Sequence, residues 1–214
     1  MSKQKLFIFD IDGTLVNSRA GTVSAYVETF KECFGKDVSE TDLYQFVGSH
    51  FDYMVSEFIG ECSEEDLKKA SKYYSDIYYS KYSNHVGLFP HVKNVLEKLS
   101  KKVLLSTATN MSQSGAENLL AMLGVADLFD KIVGTKNYAK AKPNPDMLFE
   151  SIDELGIGAA NTIMFGDSPN DIIAGKNAGV KTVAVIFGAH IPQTITTYKP
   201  NHIIQNFNDV LKLV

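Results

Sequence analysis

Lys5-Leu6-Phe7-Ile8-Phe9-Asp10-Ile11-Asp12-Gly13-Thr14-Leu15 is an apolar run that ends in two carboxylates and a glycine. A run of this kind reads as a buried strand, and open α/β sheets bind ligands at the carboxyl ends of their strands. Side chains alternate along a strand, so Asp10 and Asp12 point the same way while Ile11 packs inward. Gly13 permits a tight turn and leaves room for a ligand beside the main chain. Two carboxylates this close repel, and one of them needs a proton, a cation or both. The same residues also fit a plain strand-to-turn junction, because Asp-Gly after a hydrophobic run is a common turn signal.

Three later segments bear on that choice. Lys102-Val103-Leu104-Leu105-Ser106-Thr107 is a second short strand, and it ends in hydroxyls. Lys140-Ala141-Lys142-Pro143-Asn144-Pro145-Asp146 presents a lysine on a proline-rich loop before a helix. Thr162-Ile163-Met164-Phe165-Gly166-Asp167-Ser168-Pro169-Asn170-Asp171 is a further strand that delivers two more acids. Taken singly, these are a loop hydroxyl, a solvated lysine and a helix N-cap. Together with the opening run they point to a site.

The order and chemistry of the four segments resemble the haloacid dehalogenase superfamily in its phosphatase branch, and within it the phosphoglycolate-phosphatase-like proteins with a helical cap. Asp10-Ile11-Asp12-Gly13-Thr14 is similar to the first motif of that family, Thr107 to the second and Lys142 to the third. Gly166-Asp167-Ser168-Pro169-Asn170-Asp171 is similar to the fourth. Asn17 departs from the pattern, since many relatives carry Asp there, but it lies beyond the motif core.

The resemblance implies a Mg2+-dependent hydrolase of small phosphomonoesters. Asp10 would attack phosphorus to give an aspartyl-phosphate. Asp12 would protonate the leaving alkoxide and then deprotonate water. Thr107, Ala108, Gly13 and Lys142 would surround the phosphate and stabilise its charge. Asp10, Asp167 and Asp171, with the backbone carbonyl of Asp12, would supply the hard oxygens that magnesium asks for. The dehalogenases and ion-pumping ATPases of the superfamily lack an acid at the place of Asp12, so phosphate transfer to water is the expected reaction.

Hydrophobic spacing sets the wider organisation. Val23, Tyr26, Val27, Phe30 and Phe34 recur at helical spacing before Gly35, and Phe51, Met54, Val55, Phe58 and Ile59 do so before Gly60. Ser63-Glu64-Glu65-Asp66 reads as the capped start of a third helix, running through Leu67, Ala70 and Tyr74 towards Lys81. From Phe89-Pro90 onward, strand and helix signals alternate, which indicates a parallel sheet. The expected fold is therefore an α/β, Rossmann-like parallel core over 1–14 and 84–214, interrupted after its first strand by an all-helical cap over 15–83. A cap inserted at a strand end sits over the site as a lid. The tyrosines between Tyr73 and Tyr82 are expected to pack the helices rather than bind ligand. His50, in Gly48-Ser49-His50, is expected to be an exposed loop residue rather than a substrate contact. Phe207 to Val214 reads as a terminal helix.

A chain of 214 residues with 44% apolar content can bury a substantial core. Its net charge of −4 and pI near 5.7 weigh against a nucleic-acid surface. Cys33 and Cys62 stand apart, no stretch reaches membrane length and the N-terminus has no signal pattern, so a cytoplasmic protein without membrane contact is expected. A monomer or weak dimer acting on a small phosphorylated metabolite fits these features. Phosphoglycolate is the leading candidate, with a sugar phosphate or nucleoside monophosphate as alternatives. Arg19 is the only arginine. A phosphomutase cap must grip a second phosphate, for which a single guanidinium is a poor basis. A receiver-type signalling domain would lack the helical insertion, and a non-catalytic binding protein would be expected to have lost one of the acids.

Overall fold

The computed structural model describes residues 3–188 and 192–214. β1 (Leu6–Phe9) leads through a tight turn into β2 (Val16–Asn17). Four helices follow: α1 (Arg19–Phe34), α2 (Glu40–Leu43), α3 (Phe51–Phe58) and α4 (Glu64–Ile77). The chain returns through β3 (Gly87–Leu88) to α5 (Val92–Leu99), β4 (Leu104–Thr107), β5 (Thr109–Ser112) and α6 (Gln113–Met122). Then come β6 (Gly134–Thr135), α7 (Asp146–Leu155), β7 (Thr162–Gly166) and α8 (Pro169–Asn177). The last elements are β8 (Lys181–Val185), α9 (Pro192–Thr196) and β9 (His202–Ile204).

Five strands form one sheet in the order β4-β1-β7-β8-β9, and every pairing is parallel. The first strand is thus central, with Phe9 opposite both Thr107 and Phe165. Alternation divides its side chains between two layers. Phe7 and Phe9 join Leu105, Phe165 and Val183 against α5 and α6, whereas Leu6 and Ile8 join Met164 against α7 and α8. Burial on both faces explains why β1 and β7 read as unbroken apolar runs.

The helical segment leaves and re-enters through an antiparallel ribbon, with Val16 opposite Leu88 and Asn17 opposite Gly87. Its helices pack around an apolar cluster of their own that includes Val23, Tyr26, Phe30, Leu43, Met54 and Val55. α1 stops at Gly35, as its spacing predicts. α4 starts where expected, the Ser63 hydroxyl accepting a hydrogen bond from the Asp66 amide at 3.1 Å. Beyond Ile77 the backbone widens into a π-type turn over Tyr78–Tyr82.

The C-terminal segment differs from the expected α-helix. Phe207–Leu213 forms 3-10 turns, whose three-residue period puts Phe207, Val210 and Leu213 on one side against the sheet. β9, only three residues long and mostly exposed, carries too little apolar signal to be read in advance. Among the described residues no helix is long and apolar enough to cross a membrane.

Phe165 ties the layers of the sheet, stacked on Phe9 with ring centroids 4.6 Å apart and tilted against Phe7 at 5.1 Å. Phe165→Ala should destabilise the protein by about 3–5 kcal/mol, through lost burial and the cavity left behind. Urea unfolding of the two proteins measures this.

Candidate active site

The carboxyl ends of the central strands converge on four charged side chains. Asp10 follows β1 directly, and its amide donates to the Phe165 carbonyl at 2.9 Å, which locks its backbone to β7. Asp167 follows β7, and Asp171 lies in the first turn of α8. Carboxylate oxygens of Asp10, Asp167 and Asp171 lie within 4.8 Å of one another, and all three residues are buried.

Lys142 reaches into this cluster from the loop before α7. Its ammonium donates to Asp10 Oδ1 at 2.7 Å and to Asp171 Oδ1 at 2.6 Å. The two carboxylates outweigh the effect of burial and hold the lysine above its ordinary pKa. Burial pushes Asp10 well up; Lys142 draws it down, while Asp171 and Asp167 add to the rise. One cation therefore faces three carboxylates, an excess of hard, negatively charged oxygen that suits Mg2+.

Asp171 shows how one local motif serves two ends. Ser168 and Asp171 form a capping box: the Ser168 amide and hydroxyl both donate to Asp171 Oδ2, at 2.9 and 2.6 Å. The helix cap holds one carboxylate oxygen and turns the other towards Lys142.

Gly13 turns with φ of +79°, a conformation that costs any L side chain. A Cβ there would overlap the Asp167 carboxylate, and a Cβ on Gly188 would overlap the Gly13 carbonyl. The Thr14 hydroxyl donates to Asp167 Oδ1 at 3.4 Å.

Asp12 is set apart from the other acids. Its carboxylate accepts a hydrogen bond from the Ser18 hydroxyl and is not one of the three clustered carboxylates. Burial raises its pKa, with Ser18 and Lys142 pulling the other way. It lines a cavity of about 140 Å³ between the sheet and the helical segment, together with Tyr26, Tyr74, Tyr78, Tyr79 and Asn110. Asp12 and Asp10 thus share a strand end but face different surroundings.

The remaining expected phosphate contacts are engaged within the protein. The Thr107 hydroxyl accepts from the Val133 amide at 2.8 Å and donates to the Val133 carbonyl at 3.2 Å. The Ala108 amide donates to the Phe9 carbonyl and the Gly13 amide to the Val16 carbonyl, both at 2.9 Å. These residues sit at the strand ends around Asp10, but in this arrangement they brace the backbone, and Lys142 is the cation beside the carboxylates.

Three features lie outside what the motifs indicate. Asn110 accepts from the Lys142 amide at 2.7 Å and donates to the Gly48 carbonyl at 3.2 Å, so it fixes the lysine loop and touches the helical segment. His50 is a half-buried helix cap at the cavity, not an exposed loop residue; its Nδ1 accepts from the Asp52 amide at 3.2 Å. The tyrosines do pack, Tyr74 lying 4.6 Å from Tyr26, yet Tyr74, Tyr78 and Tyr79 also face the cavity. Tyr78 and Tyr79 lie in the wider turn after α4, and such turns frequently occur at functional sites.

Gly13→Ala should shift Asp167 and lower activity at least about a hundredfold, the usual scale for a misplaced group at a reacting centre. Circular dichroism should show a folded protein, because the overlap is confined to the strand-end turn.

Residues 7–185 match the family model of haloacid dehalogenase-like hydrolases. The chain is 26% identical to a phosphoglycolate phosphatase of Pasteurella multocida over the full length of both. It is 28% identical to the pyrophosphatase PpaX of Halalkalibacterium halodurans, over 97% of this chain and 95% of that one. A solved structure from Haemophilus somnus, described as a predicted phosphoglycolate phosphatase, superimposes with a TM-score of 0.84 at 27% identity and covers 100% of this chain and 99% of its own. The match spans every strand of the sheet up to β8 and all four charged groups that meet at its edge, and the chain belongs to the haloacid dehalogenase-like hydrolase family.

Proposed function

We propose that the protein is a Mg2+-dependent phosphomonoesterase that works through an aspartyl-phosphate on Asp10. The observation that carries this reading is the division of labour between two neighbouring acids. Asp10 is held by Lys142 inside the buried cluster, while Asp12 faces the cavity with a raised pKa.

In the first step a carboxylate oxygen of Asp10 attacks phosphorus and the bond to the ester oxygen breaks. Asp12, whose pKa burial raises, gives its proton to the departing oxygen. In the second step Asp12 takes a proton from water, which attacks the acyl phosphate, releasing inorganic phosphate and the Asp10 carboxylate. Lys142 orients Asp10 through Oδ1 and neutralises charge on the phosphoryl oxygens. Mg2+ would be held by Asp10, Asp167, Asp171 and the Asp12 carbonyl, and when bound it supplies the charge that lets an anionic nucleophile meet an anionic ester.

The substrate in this reading is a small phosphorylated metabolite enclosed by the helical segment, which acts as the cap. The names of the relatives point to phosphoglycolate or pyrophosphate. Sugar phosphates and nucleoside monophosphates are the alternatives.

Asp10→Asn keeps the shape and removes the nucleophile, so turnover of p-nitrophenyl phosphate should fall at least about a thousandfold while the melting curve stays cooperative. Exhaustive chelation should likewise abolish turnover of the wild-type enzyme, and added Mg2+ should restore it. Full activity after chelation would refute the metal-assisted scheme.

A further inference from the structure

A second and larger cleft borders the loop that carries Lys142. It measures about 570 Å³, against about 140 Å³ for the cavity beside Asp12, and the two share Ser49, His50 and Asn110. Its walls come from both halves of the molecule. Phe46, His50 and Tyr53 belong to the helical segment, and Tyr138 and Asn170 to the α/β core. Tyr138 stands in a single turn shortly before Lys142, and Asn170 lies in the first turn of α8.

The rings of this cleft run on from one another. Ring centroids are 6.1 Å apart for Phe46 and Tyr53, 6.3 Å for Tyr53 and Tyr138, and 5.5 Å for His50 and Tyr138. The Tyr53 and Tyr138 planes are only 21° from parallel. None of the four is fully buried, and Tyr138 is 49% exposed. A contact that merely sealed the helices against the core would bury its rings, as Tyr26 and Phe30 are buried inside the helical cluster. Aromatic faces gathered in a cleft and left in water mark a place where a ligand's apolar surface fits.

Two polar groups beside the rings are uncommitted. His50 Nδ1 accepts from the Asp52 amide, and burial lowers the pKa of the ring, so the neutral imidazole carries its hydrogen on Nε2. Neither that Nε2 nor the Asn170 carboxamide has a hydrogen-bond partner among the described residues. A carboxamide offers a donor and an acceptor side by side, which matches the edge of a heterocyclic base. A polymer of nucleotides is a poor fit, because its successive phosphates need a basic track and this chain has a net charge of −4.

Resting on the phosphatase reading above, we propose that this cleft is the subsite for a flat heterocyclic base and that the substrate is a nucleoside monophosphate. Its phosphate lies at Asp10 and Lys142, its ribose at Ser49 and His50 where the two cavities meet, and its base against Tyr53 and Tyr138. A leaving group the size of glycolate would leave the aromatic cleft unused.

The experiment compares kcat/KM for adenosine monophosphate with that for ribose phosphate, which carries the same phosphate and sugar without the base. Both are measured with Mg2+, and p-nitrophenyl phosphate serves as a general phosphatase control. The base should raise kcat/KM by about tenfold or more, the scale of stacking on an aromatic side chain. Tyr138→Ala should cut that ratio by about fivefold or more, and Tyr138→Phe, which keeps the ring, should retain most of it. Tyr138→Trp adds a readout that needs no turnover: the chain has no tryptophan of its own, so adenosine should quench the new emission and ribose should not. If none of the three esters is hydrolysed, the phosphatase reading falls and this inference with it. Hydrolysis in which ribose phosphate equals or exceeds adenosine monophosphate, a ratio unmoved by a folded Tyr138→Ala, or emission that adenosine leaves unchanged would overturn this inference and leave the phosphatase reading standing.

Discussion

A single buried ammonium between two buried carboxylates organises this molecule. Lys142 is within 2.7 Å of both Asp10 and Asp171, and neither it nor they have appreciable contact with solvent. Charges taken out of water are costly unless paired with good geometry, and removing one member of such a group typically costs about 3–5 kcal/mol. The three residues come from β1, the loop before α7 and the start of α8. Their meeting therefore requires the parallel sheet to be closed and the helix cap at Ser168 to be formed. With Asp167 the three carboxylates outnumber the one ammonium, and their clustered oxygens could hold a metal ion beside this structural clasp.

Asp12 joins this clasp to the helical segment. Its carboxylate is held by Ser18, the residue before α1, and it looks into a cavity whose far wall is helical. Two other bonds cross the same gap: Asn110 to the Gly48 carbonyl, and the Tyr79 hydroxyl to the Gly115 carbonyl at 2.9 Å. The helices thus reduce solvent around the acid, and that loss of solvent is the first cause of its raised pKa. In the proposed mechanism Asp12 is the general acid for alkoxide departure and would gain from that shift, so the packing of the helical segment would bear on the chemistry.

The parts of this arrangement that were readable in the sequence are those written in local patterns. The unbroken apolar runs of β1 and β7 reflect burial on both faces, and the acids after them follow from strand ends. Gly35 and Ser63 marked helix boundaries because their chemistry stops or starts a helix whatever surrounds it. Asn110 was missed because its role depends on Lys142 and Gly48, 32 and 62 residues away along the chain. His50 and the tyrosines were assigned to loop and packing because spacing reports which residues share a helix face, not which of them border a cavity. The C-terminal turns misled for a related reason: periods of 3.0 and 3.6 both bring Phe207 and Val210 inward and part only at Leu213, the last residue of the segment.

The separation between sheet and helices also governs what a resemblance can transfer. In the proposed reaction Asp10, Lys142, Asp167 and Asp171 would act on the phosphoryl group, which is the same in every monoester, so that chemistry would be insensitive to what the phosphate is attached to. The leaving group would meet the cavity that Asp12 lines together with helical residues such as Tyr74 and Tyr78. Relatives named for phosphoglycolate and for pyrophosphate match this chain to nearly the same extent, at identities of 26% and 28%. The names of the relatives therefore bear chiefly on the reaction rather than on the substrate.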